Sequence, residues 1–182
     1  MLEDIQIIEG CIDKDPQCRK LLYEKYAPSL YAVALRYTKS EQDAQDVLQE
    51  SFLRIFDNIK QYKGKGGFPQ WLARVVVHHA LNYNRHHQTY VNKVHFDDYE
   101  ERIADAPIAD ASVLTHKVLL GFIQELSPGY RSVFNLCAIE GYSSEEAAKQ
   151  LHCSSSTCRT QLLKAKKLLQ KKVNEFLIKE NK

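Results

Sequence analysis

Residues 143–176 read SSEEAAKQLHCSSSTCRTQLLKAKKLLQKKVNEF, and this stretch decides the fold class. Ser143-Ser144-Glu145-Glu146 has the form of a capping box, in which a serine and a glutamate three residues on satisfy each other's free backbone N–H groups at a helix start. Ala147, Ala148 and Leu151 follow at helical spacing, a short turn falls at His152 and Cys153, and a second helix is predicted from about Ser155. On that second helix Cys158, Leu162, Ala165, Leu169, Val173 and Phe176 recur along one face. At 3.6 residues per turn Arg159, Leu163, Lys166, Lys167 and Gln170 then fall on the other, with Thr160 and Lys164 at its margin. This is the outline of a helix-turn-helix, whose second helix needs an apolar anchoring face and an opposite face with donors for base edges and lysines for phosphates. The pattern alone fits equally a helical hairpin whose lysine face is simply solvated.

Outward from this stretch the same period recurs, and no segment shows the sustained alternation of a half-buried strand, so the chain reads as all-α. Upstream, Leu114, Val118, Phe122 and Leu126 form a stripe, Ser127-Pro128-Gly129 punctuates it, and the next helix runs toward Gly141 as a C-terminal cap. Nearer the N-terminus, Ser40 to Asp43 opens a helix with Ala44, Val47, Leu48, Phe52, Ile55, Phe56 and Ile59 on its apolar side. Its opposite face carries Asp43, Asp46, Gln49, Glu50 and Arg54. A preceding pattern through Leu22, Tyr26, Leu30, Ala34 and Tyr37 contains Pro28, which is predicted to break or kink it. After the loop Lys63-Gly64-Lys65-Gly66-Gly67, Pro69 opens a helix with Leu72, Val75, Val76, His79 and Tyr83 inward, leaving Arg74, His78, Leu81 and Arg85 facing elsewhere. From about Gln88 to Ala111 the pattern fades and charge rises, which divides the chain into a unit at 1–88, a flexible acidic linker at 89–111 and a unit at 112–182.

Charge is unevenly placed although the net value is only +2. Between Asp57 and Asp97 there is no acidic residue, while Lys60, Lys63, Lys65, Arg74, Arg85 and Lys93 alternate with aromatic side chains. An acidic run from Asp97 to Asp110 follows, and a second basic block spans Arg159 to Lys172. A basic track interleaved with aromatics suits single-stranded or unstacked nucleic acid. No apolar run approaches the length of a membrane span, and the N-terminus lacks the pattern of a signal peptide, so no membrane insertion is predicted and the cytoplasm is the expected compartment. The five cysteines show neither CxxC spacing nor a disulfide framework and are expected to be reduced and mostly buried. Adjacent histidines (His78-His79 and His86-His87) do not share a helix face, which argues against a metal site; no metal or cofactor is implied. Nor does any nucleophile or phosphate-binding loop accompany the carboxylates at 43–50, so the chain is not expected to be an enzyme.

Several ordered motifs resemble the extracytoplasmic-function sigma factors, dissociable subunits of bacterial RNA polymerase. LSPGYRSVF (126–134), EGYS (140–143), STCRTQL (156–162) and KAK (164–166) resemble the promoter-reading domain at the family's C-terminal end. DAQDVLQESFLR (43–54) resembles its polymerase-binding helix, and FPQWL (68–72) with NYNR (82–85) its DNA-melting region. The resemblance implies that Asp43, Asp46, Gln49 and Glu50 dock on core RNA polymerase, and that Lys63, Lys65, His78 and Arg85 meet the minus-10 element. It further implies that Arg159, Thr160, Leu163 and Lys164 read the minus-35 element of promoter DNA while Thr157, Lys166 and Lys167 contact phosphates. Phe68 and Trp71 fall near the apolar stripe and are expected in the core rather than against DNA. An anti-sigma factor is the partner expected to restrain such a protein, and the acidic linker suits passage through a basic channel of the polymerase. With the second unit running close to the last residue, no additional regulatory domain is expected within the chain. The sequence departs from the family pattern at His152 and Ser156, where glycine is common, at Ala147, where isoleucine is usual, and at His78, where asparagine is usual, so promoter preference does not carry over. Two other readings remain open: a free-standing helix-turn-helix regulator, and a helical interaction module with solubilising basic faces.

Overall fold

The computed structural model describes residues 3–64, 66–91 and 114–180, and every regular element among them is helical. Contacts group the chain into two units, Met1–Tyr83 and Asn84–Lys182.

In the first unit, α1 (Asp4–Ile12) packs on α2 (Pro16–Tyr37) through the buried side chains of Ile7 and Cys11. Lys14 turns the chain with φ 62°, and Asp15 then caps α2, its carboxylate accepting from the N–H groups of Gln17 and Cys18. Of the two expected outcomes, a break or a kink, the break does not occur: α2 runs through Pro28 without interruption. The reason is tertiary. Pro28 and Glu24 lie on the exposed side, where water can satisfy the carbonyl left without a donor, while Tyr26, Leu30, Val33 and Ala34 are buried on the other. A proline inside a helix costs ~3 kcal/mol, and burying two such large side chains returns about as much.

Ser40 caps α3 (Glu41–Asn58) by accepting from Asp43 N–H at 3.0 Å. Its apolar side is buried as predicted, with Ala44, Val47 and Ile55 at 0% exposure. After a 3-10 turn (Ile59–Gln61) and the glycine loop, α4 runs from Phe68 to Val91. Leu72, Val76, His79 and Ala80 are buried in α4, and so are Val77 and Leu81. The expectation that Leu81 faces away is therefore wrong: α4 buries a wider arc than a single amphipathic stripe. Phe68 belongs to an aromatic cluster with Tyr26, Tyr62 and Trp71, stacked nearly parallel on Trp71 at 6.0 Å. The two rings expected in the core are thus packed together, with Trp71 half-buried. Continuation of α4 to Val91 carries helix past the predicted boundary at 88, and the rest of the predicted linker lies outside the described residues.

In the second unit α5 (His116–Glu125) starts from Thr115, whose hydroxyl accepts from Val118 N–H. α6 (Pro128–Phe134) has Pro128 at its first position and passes into a π turn (Asn135–Ile139) capped by Glu140, after which Gly141 takes φ 79°. Arg131 is buried and donates to the Gln124 carbonyl at 2.9 Å, which ties α6 to the end of α5. Then come α7 (Ser144–Leu151) and α8 (Ser155–Glu180). Phe122 meets Phe176 edge-on at 5.9 Å and Lys172 pairs with Glu125, so the far half of α8 is held against α5.

Candidate nucleic-acid interface and adjoining acidic face

The outer face of α3 presents Asp46, Gln49 and Glu50 to solvent, with Leu53 among them at 64% exposure. Asp43 differs from these three: it is half-buried and accepts a 2.7 Å hydrogen bond from the Tyr83 hydroxyl of α4. Burial, and donation to that carboxylate, push the Tyr83 hydroxyl up to about 12. Glu50 is also engaged from α4, by His79 Nε2 at 3.5 Å. His79 is buried, and burial, seconded by the Arg54 charge, lowers its pKa from 6.5 despite the Glu50 carboxylate. Neither contact is legible in the sequence, because each joins residues far apart in the chain.

The glycine loop follows the 3-10 turn after α3. Gly64 and Gly66 have φ of 70° and 81°, conformations that side-chain-bearing residues rarely adopt, and a Cβ at either would touch nothing. Tyr62 braces the loop by donating to the Gly66 carbonyl at 2.8 Å. Lys63 is exposed, whereas Lys65 lies outside the described residues. Along α4, Arg74, His78 and Arg85 are exposed, and Asn82 Nδ2 approaches His78 Nδ1 at 3.4 Å.

The helix-turn-helix is built locally, as its sequence predicts. Ser143 and Glu146 complete the capping box, with Glu146 N–H donating to Ser143 Oγ at 3.2 Å and Ser143 N–H to Glu146 Oε2 at 2.9 Å. α7 stops at His152, whose φ of 54° and ψ of 42° place it in the left-handed region that a glycine would occupy without strain. Ser154 accepts from Thr157 N–H at 3.0 Å and starts α8. Cys158 and Ala165 are fully buried, and Leu162, Leu169, Val173 and Phe176 are half-buried around them. Arg159, Thr160, Leu163, Lys166 and Lys167 are exposed on the opposite side, while Lys164 is half-buried at the margin. Thr157 is exposed, and its hydroxyl meets that of Ser154 at 2.8 Å. A further residue joins the face: Glu145 of α7 holds Arg159 Nη1 at 3.3 Å across the motif. Sequence reasoning missed this pairing, because fourteen residues and a turn separate the two partners.

The five thiols are free. Cys11 and Cys158 are buried, and burial raises each to about 11, which suppresses the reactive thiolate. Cys18, Cys137 and Cys153 are half-buried, so burial of the thiols is less complete than expected. No group of His, Cys, Asp and Glu among the described residues is arranged to hold a metal ion, and no helix among them is long and apolar enough to cross a membrane.

Comparison with known proteins places both units. The family model described as sigma-70 region 2 matches residues 22–89, and that described as sigma-70, region 4 matches residues 116–169. Among curated relatives, the ECF RNA polymerase sigma-E factor of Haemophilus influenzae is 24% identical over 186 aligned positions, covering 97% of this chain and 98% of the relative. The RNA polymerase sigma-H factor of Pseudomonas aeruginosa is 25% identical, with 96% of each chain covered. Among solved structures, the sigma factor RpoE in complex with the anti-sigma factor NepR, from Bartonella quintana, aligns with a TM-score of 0.55 at 20% identity, over 85% of this chain and 95% of that one.

Proposed function

Because this chain belongs to the sigma-70 family, as an extracytoplasmic-function sigma factor, we propose that its two helical units divide the work of promoter-specific initiation between them. The unit at 1–88 docks on core RNA polymerase and engages the minus-10 element; the unit at 112–182 reads the minus-35 element; the segment at 89–111 joins them. The observation that carries this division is the pairing of an exposed acid and amide ridge on α3 with a separate exposed arginine and lysine face on α8. Asp46, Gln49 and Glu50, with Asp43 at the half-buried edge, form the polymerase-facing ridge. Lys63, Lys65, His78 and Arg85 meet the minus-10 strand, where lysines neutralise the backbone of a locally melted duplex.

On α8, the Arg159 guanidinium suits bidentate pairing with guanine, Leu163 one turn on suits a thymine methyl, and Thr160 and Lys164 flank them. Thr157, Lys166 and Lys167 hold the phosphates that set the helix in the groove. The protein directs the polymerase's chemistry and performs none of its own, and it acts in the cytoplasm, where the polymerase works. An anti-sigma factor that covers these faces is the partner that keeps it silent.

Run-off transcription of genomic fragments by native-host core polymerase, with and without the protein, tests the reading. Defined start sites that appear only with the protein, and disappear with the Asp46→Lys, Gln49→Lys double variant, are the expected result. Specific duplex binding without any dependent transcript would instead identify a free-standing regulator.

A further inference from the structure

Two side chains of α4 reach the two carboxylates that bracket the polar ridge of α3. Tyr83 donates to Asp43 at 2.7 Å and His79 approaches Glu50 at 3.5 Å. His79 and Tyr83 are one turn apart on α4, while Asp43 and Glu50 are two turns apart on α3. The higher-numbered residue of one helix faces the lower-numbered residue of the other, so the two contacts form antiparallel rungs. His78 and Arg85 are seven residues apart and share a face of α4 about 100° from His79. Both are exposed. The helix that carries the minus-10 face therefore hangs from the carboxylates that flank the polymerase-facing ridge. Of the two rungs the tyrosine one is firmer, being short and half-buried on both sides, whereas the Glu50 carboxylate is mostly exposed.

We propose that Tyr83 is a positioning residue: its bond to Asp43 fixes the rotation of α4 on α3, so that docking on polymerase also sets the angle at which His78 and Arg85 meet the minus-10 strand. This rests on the sigma-factor reading of the two faces and refines it, since Asp43 then serves as an internal acceptor and what it must supply is an oxygen rather than a charge.

The test uses the full chain with core polymerase and four proteins: wild type, Tyr83→Phe, Asp43→Ala and Asp43→Asn. Affinity for core is measured by fluorescence titration. The rate of open-complex formation is measured on a duplex promoter and on the same promoter with its minus-10 region opened by mismatches. Core affinity of Tyr83→Phe is expected to stay within about twofold of wild type, while Tyr83→Phe and Asp43→Ala lose about tenfold on duplex and recover on the opened promoter. Asp43→Asn, which keeps the acceptor oxygen, is expected to retain most of the duplex rate. Weakened core affinity in Asp43→Asn with an unchanged Tyr83→Phe would overturn the proposal and return Asp43 to the polymerase contact. Equal losses on both templates, or no loss on either, would overturn it too. Wild type that supports no transcription would instead sink the underlying sigma reading, a failure visible before any variant is compared.

Discussion

Replacing Arg159 by alanine separates recognition from folding, because the structure makes its cost to stability small. The guanidinium is 61% exposed and its partner Glu145 60%, at 3.3 Å. A surface pair of that kind contributes ~0–1 kcal/mol. Its loss should shift unfolding by no more than about 1 kcal/mol. Against DNA the same side chain is expected to contribute ~1–3 kcal/mol through a bidentate contact with guanine. The contact with Glu145 must loosen for Arg159 to turn to a base, so the net loss should fall in the lower part of that range, about 1–2 kcal/mol or roughly five- to thirtyfold in affinity. The assay is holoenzyme binding, by fluorescence anisotropy, to a cognate promoter and to variants with single base pairs changed across the minus-35 element. Arg159→Ala should weaken the cognate and flatten the ranking at one base pair, whereas Lys167→Ala should weaken every sequence alike and reduce the salt slope by about one. Equal losses on cognate and scrambled DNA for Arg159→Ala would refute the assignment of Arg159 as a base reader.

Three further outcomes follow from local geometry. His152→Gly removes a left-handed strain of ~1–2 kcal/mol but adds ~0.4–1 kcal/mol of unfolded-state entropy; a slightly higher midpoint in thermal unfolding is expected, and a lower one would show that the imidazole itself holds the turn. Asp4 sits 2.7 Å from Lys25 Nζ and 2.6 Å from the Tyr26 hydroxyl, and the Lys25 bond, followed by the Tyr26 bond, holds its carboxyl below the usual 3.8. A depressed carboxylate stabilises the fold above its unfolded pKa and loses that contribution as pH falls through the folded one, so the urea-midpoint gap between wild type and Asp4→Asn should be full at neutral pH and close in strong acid. His79 is held neutral chiefly by burial, with Arg54 and His78 opposing its protonation and Glu50 favouring it. Below 6.5 the unfolded chain takes up that proton first, so wild type should lose stability between pH 7 and 5 more steeply than His79→Gln; parallel curves would show that the histidine titrates alike in both states.

Much of this architecture was legible because it is local. The caps at Ser40 and Ser143, the apolar stripe of α3 and the division of α8 into two faces depend on residues three or four apart, and these interactions form wherever the helix forms. Even the left-handed turn at His152 could be anticipated from the family pattern. The unbroken helix at Pro28 and the burial of Leu81 escape sequence reading for one common reason. A propensity or a single stripe describes a helix alone, whereas α2 and α4 are shaped by what packs around them, which offsets a missing hydrogen bond in the first and buries a wider arc in the second.

By itself the sequence determined the helical class, the starts of α3 and α7 and the two faces of α3 and α8, since periodicity and capping are properties of neighbouring residues. Only the tertiary structure decided which of those side chains are already engaged. Tyr83 reaches Asp43 across forty residues, and Arg159 reaches Glu145 across fourteen. A contact between two helices depends on how each is rotated against the other, and that rotation is set by the whole packed core rather than by any window of sequence.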